Sequence, residues 1–170
     1  MTLELKKITL DMEQAYLSFV QEWTDNGEAI IPFSARLNGK GYKEYAEETI
    51  KMETDPPSGL VKATTLFLTC ADEIIGAINI RHTLNEYLLN YGGHIGYGIK
   101  PSKRGHGYAK TMVQMIYPLL KELRLDRVLI ICAADNIASA KTIEGCGGEF
   151  EKEVMDENNK AIRRYWLNVR

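Results

Sequence analysis

Residues 94 to 134 restrict the fold more than any other part of the chain. A strand-like segment, HIGYGIK (94–100), runs into a turn rich in glycine and basic residues. A helix-period segment follows, with Ala109, Met112, Val113, Ile116, Leu119, Leu120 and Leu123 at three-to-four spacing. Then comes an unbroken apolar run, VLIICAA (128–134), the pattern of a strand buried on both faces. Strand, helix and buried strand in that order predict a parallel pair joined by a right-handed crossover. Pro118 falls inside the helix and predicts a bend, because proline removes one internal hydrogen bond.

The remaining segments predict an α/β chain with a mixed, mostly antiparallel sheet, in the order β α α β β β α β α β β, as one domain over 1–170. Leu3, Leu5 and Ile8 open a short strand, and Asp11 with Gln14 reads as a capping box. Ala15, Phe19, Val20 and Trp23 then supply an apolar stripe. After a loop over 26–41, an acidic helix runs from Tyr42 to about Glu53 and stops at DPPSG. TLFLTCAD and IIGAINIRHT read as antiparallel strands joined at Asp72-Glu73, and NEYLLNYGG as an excursion before the next strand. A short helix begins near Asn136 and ends at GCGG, and two strands, Glu149–Met155 and Ala161–Val169, flank DENNK.

Composition excludes several classes. The chain has 170 residues, is 45% apolar and 26% charged, and its formal charge of −2 gives no reason to expect nucleic acid or an anionic membrane as partner. The first residues alternate polar and apolar, unlike a signal peptide, and no apolar run approaches the roughly 20 residues of a membrane span. Cys70, Cys132 and Cys146 form no C-x-x-C pair, which argues against a disulfide framework or a zinc site and fits a reducing cytoplasm.

The turn Lys103-Arg104-Gly105-His106-Gly107-Tyr108 lies between a strand and a helix start. Backbone N–H groups there lack internal partners and carry the positive end of the helix dipole. Glycine lets such a backbone approach a ligand, and Lys100, Lys103, Arg104 and Lys110 add charge, so the turn suits a phosphate-bearing anion. A dinucleotide fingerprint would need glycine where Lys110 stands, and a G-x-x-x-x-G-K-S/T loop is absent. The plain alternative is a glycine turn whose charges face water.

Arg104-Gly105-His106-Gly107-Tyr108-Ala109 resembles the R/Q-x-x-G-x-G/A acyl-CoA signature of the GCN5-related N-acetyltransferases, and DNIASAKTIEGCGGEF resembles that family's second landmark. The resemblance covers about residues 64 to 170. It implies helices on both faces of a sheet whose parallel fourth and fifth strands splay apart, with acetyl-CoA as co-substrate in the cleft and its pantetheine imitating a missing strand. Backbone groups of Tyr97 and Ile99 would pair with the pantetheine, and the pyrophosphate would sit on the backbone of Arg104, Gly105, His106, Gly107, Tyr108 and Ala109. Gly96 and Gly98 would permit the close approach. Asn136 and Ser139 would face the thioester end, although Asn136 also reads as a helix N-cap with Ser139 as its N3 neighbour.

The resemblance further implies acetyl transfer to a primary amine of a small molecule or peptide, by direct attack in a ternary complex and without a metal. The alternative is a non-catalytic acyl-CoA-binding sensor. His94 stands where many relatives carry glutamate and is the first candidate for general base; it could equally fill a strand position or hold a loop. His82 is a candidate substrate contact. Ile143 occupies the usual place of the leaving-group tyrosine, which leaves Tyr97, Tyr91 or solvent to protonate the thiolate. Cys146 reads as a structural thiol.

Residues 1–60 carry 11 acidic and 6 basic side chains. They form either an acidic lip for a cationic amine or the solvated face of Glu44, Glu47 and Glu48. The loop EAIIPFSARLNG would wall the acceptor pocket or staple to the core. The last strands offer a possible homodimer edge.

Overall fold

The computed structural model describes residues 2–169. Seven strands form one sheet: β1 (Leu3–Lys6), β2 (Ala63–Cys70), β3 (Glu73–Arg81), β4 (Ile95–Ile99), β5 (Arg127–Ala133), β6 (Glu149–Met155) and β7 (Ala161–Asn168). Their order across the sheet is β1-β2-β3-β4-β5-β7-β6, with β4 and β5 parallel and the other neighbours antiparallel. The expected mixed sheet and the single parallel pair are therefore present. The β2–β3 turn is Ala71-Asp72, one residue earlier than expected, since Glu73 already pairs with Cys70.

Helices cover both faces. On one, α1 (Glu13–Asp25) and α2 (Tyr42–Lys51) close over Phe67, Ile74 and Ala77 of β2 and β3. Tyr16, Phe19 and Trp23 form the buried stripe of α1, while Ala15 and Val20 lie at its margin. The expected capping box is not formed: a 3-10 turn, Leu10–Met12, leads into α1 after Thr9 with no side-chain cap. On the other face, Met112, Val113, Ile116, Leu120, Ala140 and Ile143 pack against Leu68, Ile78, Ile80, Ile95, Val128 and Ile130. These come from α3 (Tyr108–Met115), α4 (Tyr117–Glu122) and α5 (Ile137–Gly145), with Ile116 at the α3–α4 junction. Pro118 does more than bend the helix, because its missing N–H lets the chain divide at Ile116.

The excursion before β4 is a wide helical turn, Leu88–Gly92, in which the Gly93 N–H donates to the Leu88 carbonyl at 2.6 Å. Arg164 of β7, 6% exposed, donates to the carbonyls of Leu89 and Asn90 and pairs with Glu151 at 2.7 Å, fixing this turn over β5 and β7. The strand start that follows is thereby held in place.

Candidate active site

Parallel strands β4 and β5 share one rung, Ile95 opposite Ile130, and then separate. The rung is closed by His94. Its N–H donates to the Leu129 carbonyl at 2.7 Å, and the Leu129 N–H donates to its Nδ1 at 2.9 Å. One residue thus satisfies both main-chain groups of Leu129 where the sheet begins to fork. Gly93 is required beside it, because φ is +69° and a Cβ there would lie 2.6 Å from the Leu129 carbonyl oxygen. An Nδ1 that accepts a bond holds no proton, so the neutral ring carries its hydrogen on Nε2. Burial, and then the charge of Arg81, hold its pKa below the usual imidazole value.

Along β4 the Arg81 N–H donates to the His94 carbonyl at 2.8 Å, and the Lys100 N–H donates to the Ile75 carbonyl at 3.0 Å. Even positions therefore bond toward β3, and the alternating amides of Tyr97 and Ile99 face the gap. The Ile99 carbonyl takes the Arg104 Nε–H at 3.0 Å, and the Tyr97 amide has no strand partner.

The glycine turn lies at the open end of the fork. Gly105 and Gly107 hold φ of +78° and +79°, with nothing within 4 Å of either Cβ position. Among the described residues no protein group accepts from the N–H groups of Gly105 to Lys110; the first bond into α3 runs from the Thr111 N–H to the Gly107 carbonyl at 3.1 Å. This row of free donors at a helix start is an anion cradle. The basic side chains around it point elsewhere. Lys100, 5% exposed, pairs with Glu22 at 2.8 Å and Glu73 at 2.7 Å, and Lys103 joins Glu73 at 3.0 Å.

Arg104 forks onto Glu28 at 2.9 and 2.7 Å and lies 4.9 Å from the Trp23 ring centre, and its own N–H bonds the Pro101 carbonyl at 3.3 Å. Its side chain and amide, both expected near the pyrophosphate, are already engaged by Glu28 and by the tight turn. Lys110 makes no ion pair among the described residues.

The far wall of the gap is the first turn of α5. Asn136 caps it, its Oδ1 accepting the Ser139 N–H at 3.1 Å. The Tyr97 hydroxyl reaches from β4 to Ser139 Oγ at 2.9 Å, so the ring spans the fork, and burial pushes its pKa up to about 12. Ile143 is fully buried in the core. Tyr91 packs its ring against Tyr87 at 5.6 Å. Burial pushes the Cys146 thiol up, in keeping with a structural role.

Gly96 and Gly98 lie on the opposite face from Tyr97, where the loop between α1 and α2 arrives. A Cβ on Gly98 would stand 2.2 Å from the Ile31 carbonyl oxygen, and one on Gly96 would meet Pro32 and Arg81. The expected close approach is real, but the group that approaches is this loop. His82 does not join the fork: its Nε2 lies 2.8 Å from Thr64 Oγ1. The acidic residues of the first 60 are largely neutralised within the chain. Glu22 and Glu28 are paired as above, Glu53 pairs with Lys7, Glu48 with Lys40 and Asp55 with Lys51. A groove of about 770 Å³ lies between α1 and the β2–β3 turn, with Lys100 and Glu73 in its wall. Among the described residues no group of three or more His, Cys, Asp or Glu side chains is placed to hold a metal, and no helix is long and apolar enough to cross a membrane.

A mixed sheet that forks at its one parallel pair, with unbonded turn amides at the mouth, defines the class of acyltransferases that draw on acyl-CoA. The sequence profile of the acetyltransferase (GNAT) domain matches residues 3–149. The chain belongs to that family, whose enzymes transfer acetyl groups from acetyl-CoA.

Solved structures agree on the fold. The Salmonella typhimurium acetyltransferase that modifies the N-terminal serine of ribosomal protein L7/L12 is 18% identical, with a TM-score of 0.67 over 99% of this chain and 96% of that one. The ribosomal-protein-S5-alanine acetyltransferase of Vibrio fischeri is 16% identical, with a TM-score of 0.73 over 98% and 93%. The microcin C7 self-immunity acetyltransferase MccE, in complex with acetyl-CoA and AMP, is 19% identical, with a TM-score of 0.67 over 98% and 92%. Comparison with curated protein sequences returns no match.

Proposed function

We propose that this protein transfers the acetyl group of acetyl-CoA to a primary amine of a small molecule or peptide, by direct attack within a ternary complex. The observation that carries the proposal is the fork: one rung at Ile95, gap-facing amides at Tyr97 and Ile99, and free N–H groups from Gly105 to Lys110. The pantetheine would complete β4 along Tyr97 and Ile99, and the diphosphate would take the N–H groups of Gly105, His106, Gly107, Tyr108 and Ala109. When bound, the thioester supplies the electrophilic carbonyl. A gap-facing amide of β4 donates to the developing oxyanion. The Tyr97 hydroxyl, protonated at neutral pH, gives its proton to the departing thiolate and regains one from solvent. Ser139 orients that hydroxyl. Because its Nδ1 is committed to Leu129, His94 has a positioning role at the fork, and the acceptor's proton leaves through water at the cleft mouth. The three free cysteines accord with a cytoplasmic location.

The test combines binding and turnover. Acetyl-CoA at 100 times its Kd should stabilise the fold by about 2.7 kcal/mol, and ATP should not. Thiol release should follow with some members of an amine panel. Tyr97→Phe should lower kcat at least about tenfold at unchanged acetyl-CoA affinity. Binding without thiol release for any amine would favour the sensor alternative.

A further inference from the structure

Arg81, the last residue of β3, lies on the face of the sheet that the α1–α2 loop covers. Its guanidinium sits 3.8 Å from the Cβ position of Gly96, beside Pro32, one residue from the amide of Tyr97 that opens into the fork. Nη1 donates to the carbonyls of Gly92 at 3.1 Å and Gly93 at 3.2 Å. Those two bonds use two of its five N–H donors. Nη2 and Nε have no acceptor among the described residues, and no carboxylate pairs with this cation.

These donors are not fully sealed from solvent. Trp23 Nε1 is the only side-chain polar atom among the described residues that is both sealed from solvent and without a partner. Two other arginines contrast with this one: Arg104 has Glu28 and Arg164 has Glu151. Five acids of the first 60 residues, Glu53, Glu48, Asp55, Glu22 and Glu28, are paired with Lys7, Lys40, Lys51, Lys100 and Arg104. A half-buried guanidinium without a carboxylate partner, beside Gly96 and Pro32, suits an anionic oxygen group with two acceptor atoms.

We propose that Arg81 determines acceptor specificity by binding an anionic group, carboxylate or phosphate, carried on the same molecule as the amine. The inference rests on the acetyl-transfer reading and narrows its acceptor class. The planar fork of the two free nitrogens would hold the anion while the amine reaches past Gly96 toward the β4 amides. A Cβ at Gly96 would stand 3.5 Å from Pro32 Cβ and 3.8 Å from the guanidinium, so the bare glycine keeps Arg81 and Pro32 close to the β4 backbone. The cationic acceptor expected from an acidic N-terminal lip is replaced by one whose anion offsets the Arg81 charge.

The probes are matched pairs: glycine, β-alanine and γ-aminobutyrate against their carboxamides, and 2-aminoethyl phosphate against ethanolamine. Equilibrium binding to the CoA-loaded protein is measured by calorimetry, and kcat/KM by thiol release. At least one anionic probe should bind tenfold or more tightly than its neutral partner. The carboxylate and phosphate arms show which anion is preferred. Arg81→Gln should erase the preference through KM while leaving kcat/KM for the neutral amines within about twofold. Arg81→Lys, which keeps the charge without the fork, should restore part of it and controls for folding.

Equal binding of anionic and neutral partners, or no binding by any anionic probe, overturns the proposal. So does an Arg81→Gln loss of the same size for every acceptor, since that marks a strut for Gly92 and Gly93. Failure of the acetyl-transfer reading is separate: it appears as absent stabilisation by acetyl-CoA, whereas the anion preference is read from acceptor binding alone.

Discussion

At the scale of single residues, His94 shows how one position can look catalytic in sequence and structural in space. A histidine two residues before Gly96 has the chemistry of a base, but its Nδ1 is taken by the Leu129 N–H and the residue is 6% exposed. Only contact across strands, 35 residues apart in the chain, reveals this. The two roles separate by titration. The folded pKa is depressed, so as pH falls below about 6.5 the unfolded chain takes a proton that the folded chain refuses, and stability drops until the folded value is passed. His82, also depressed by burial, adds a slope of the same sign. His94→Asn offers an oxygen to the Leu129 N–H without titrating. It should fold, keep thiol release within about tenfold, and lose one of the two histidine contributions to the slope in urea unfolding between pH 6.5 and 5. A loss of turnover of a hundredfold or more at full acetyl-CoA affinity would instead restore the base.

At the scale of elements, β4 is read differently from its two faces. Gly96 and Gly98 signal in sequence that something comes close, but not what does. A Cβ on Gly98 would overlap the Ile31 carbonyl, and that neighbour is backbone and cannot swing aside. Gly98→Ala should therefore cost about 1–3 kcal/mol in chemical denaturation. It should also raise the acceptor KM by displacing the loop around Pro32, with acetyl-CoA affinity little changed; equal stability and KM would show that the loop is not seated there.

The elements legible in sequence were those with a period or a run: VLIICAA as a buried strand, the α3–α4 apolar stripe, and the glycine turn before it. Less legible were features set by tertiary contact. The capping box gave way to a 3-10 turn, Tyr16 hid its burial behind a polar hydroxyl that bonds the Ala35 carbonyl, and Lys100, Lys103 and Arg104 turned to Glu22, Glu73 and Glu28. Arg81 carried only a weak signal: a cation at the end of a mostly apolar strand, where a buried charge needs a partner.

At the scale of the whole molecule, the same ion pairs that draw Lys100 and Lys103 away from the anion cradle join the two sides of the structure. Lys100 leaves the end of β4, meets Glu22 from α1 and Glu73 from β3, and Glu22 also accepts the Ser102 N–H at 2.7 Å. The turn before the cradle is thus pinned to α1. That anchor should titrate. Burial alone would raise the Glu22 pKa, but the bonds from Lys100 and Ser102 outweigh it and bring the value down to about 2; Glu73 is lowered by Lys100 and Lys103 in the same way. A depressed carboxylate stabilises the fold above its unfolded pKa, near 4.5, and that contribution fades as pH falls toward the folded value. Beyond the slope that the two histidines add, urea midpoints should therefore fall further between about pH 4.5 and 2. Lys100→Met leaves two carboxylates without their buried partner, and should cost about 3 kcal/mol at pH 7. It should flatten the acid limb, because Glu22 and Glu73 return toward ordinary values, and it should weaken acetyl-CoA binding by freeing the turn. Parallel pH curves for the wild type and Lys100→Met would show that the acid sensitivity arises elsewhere.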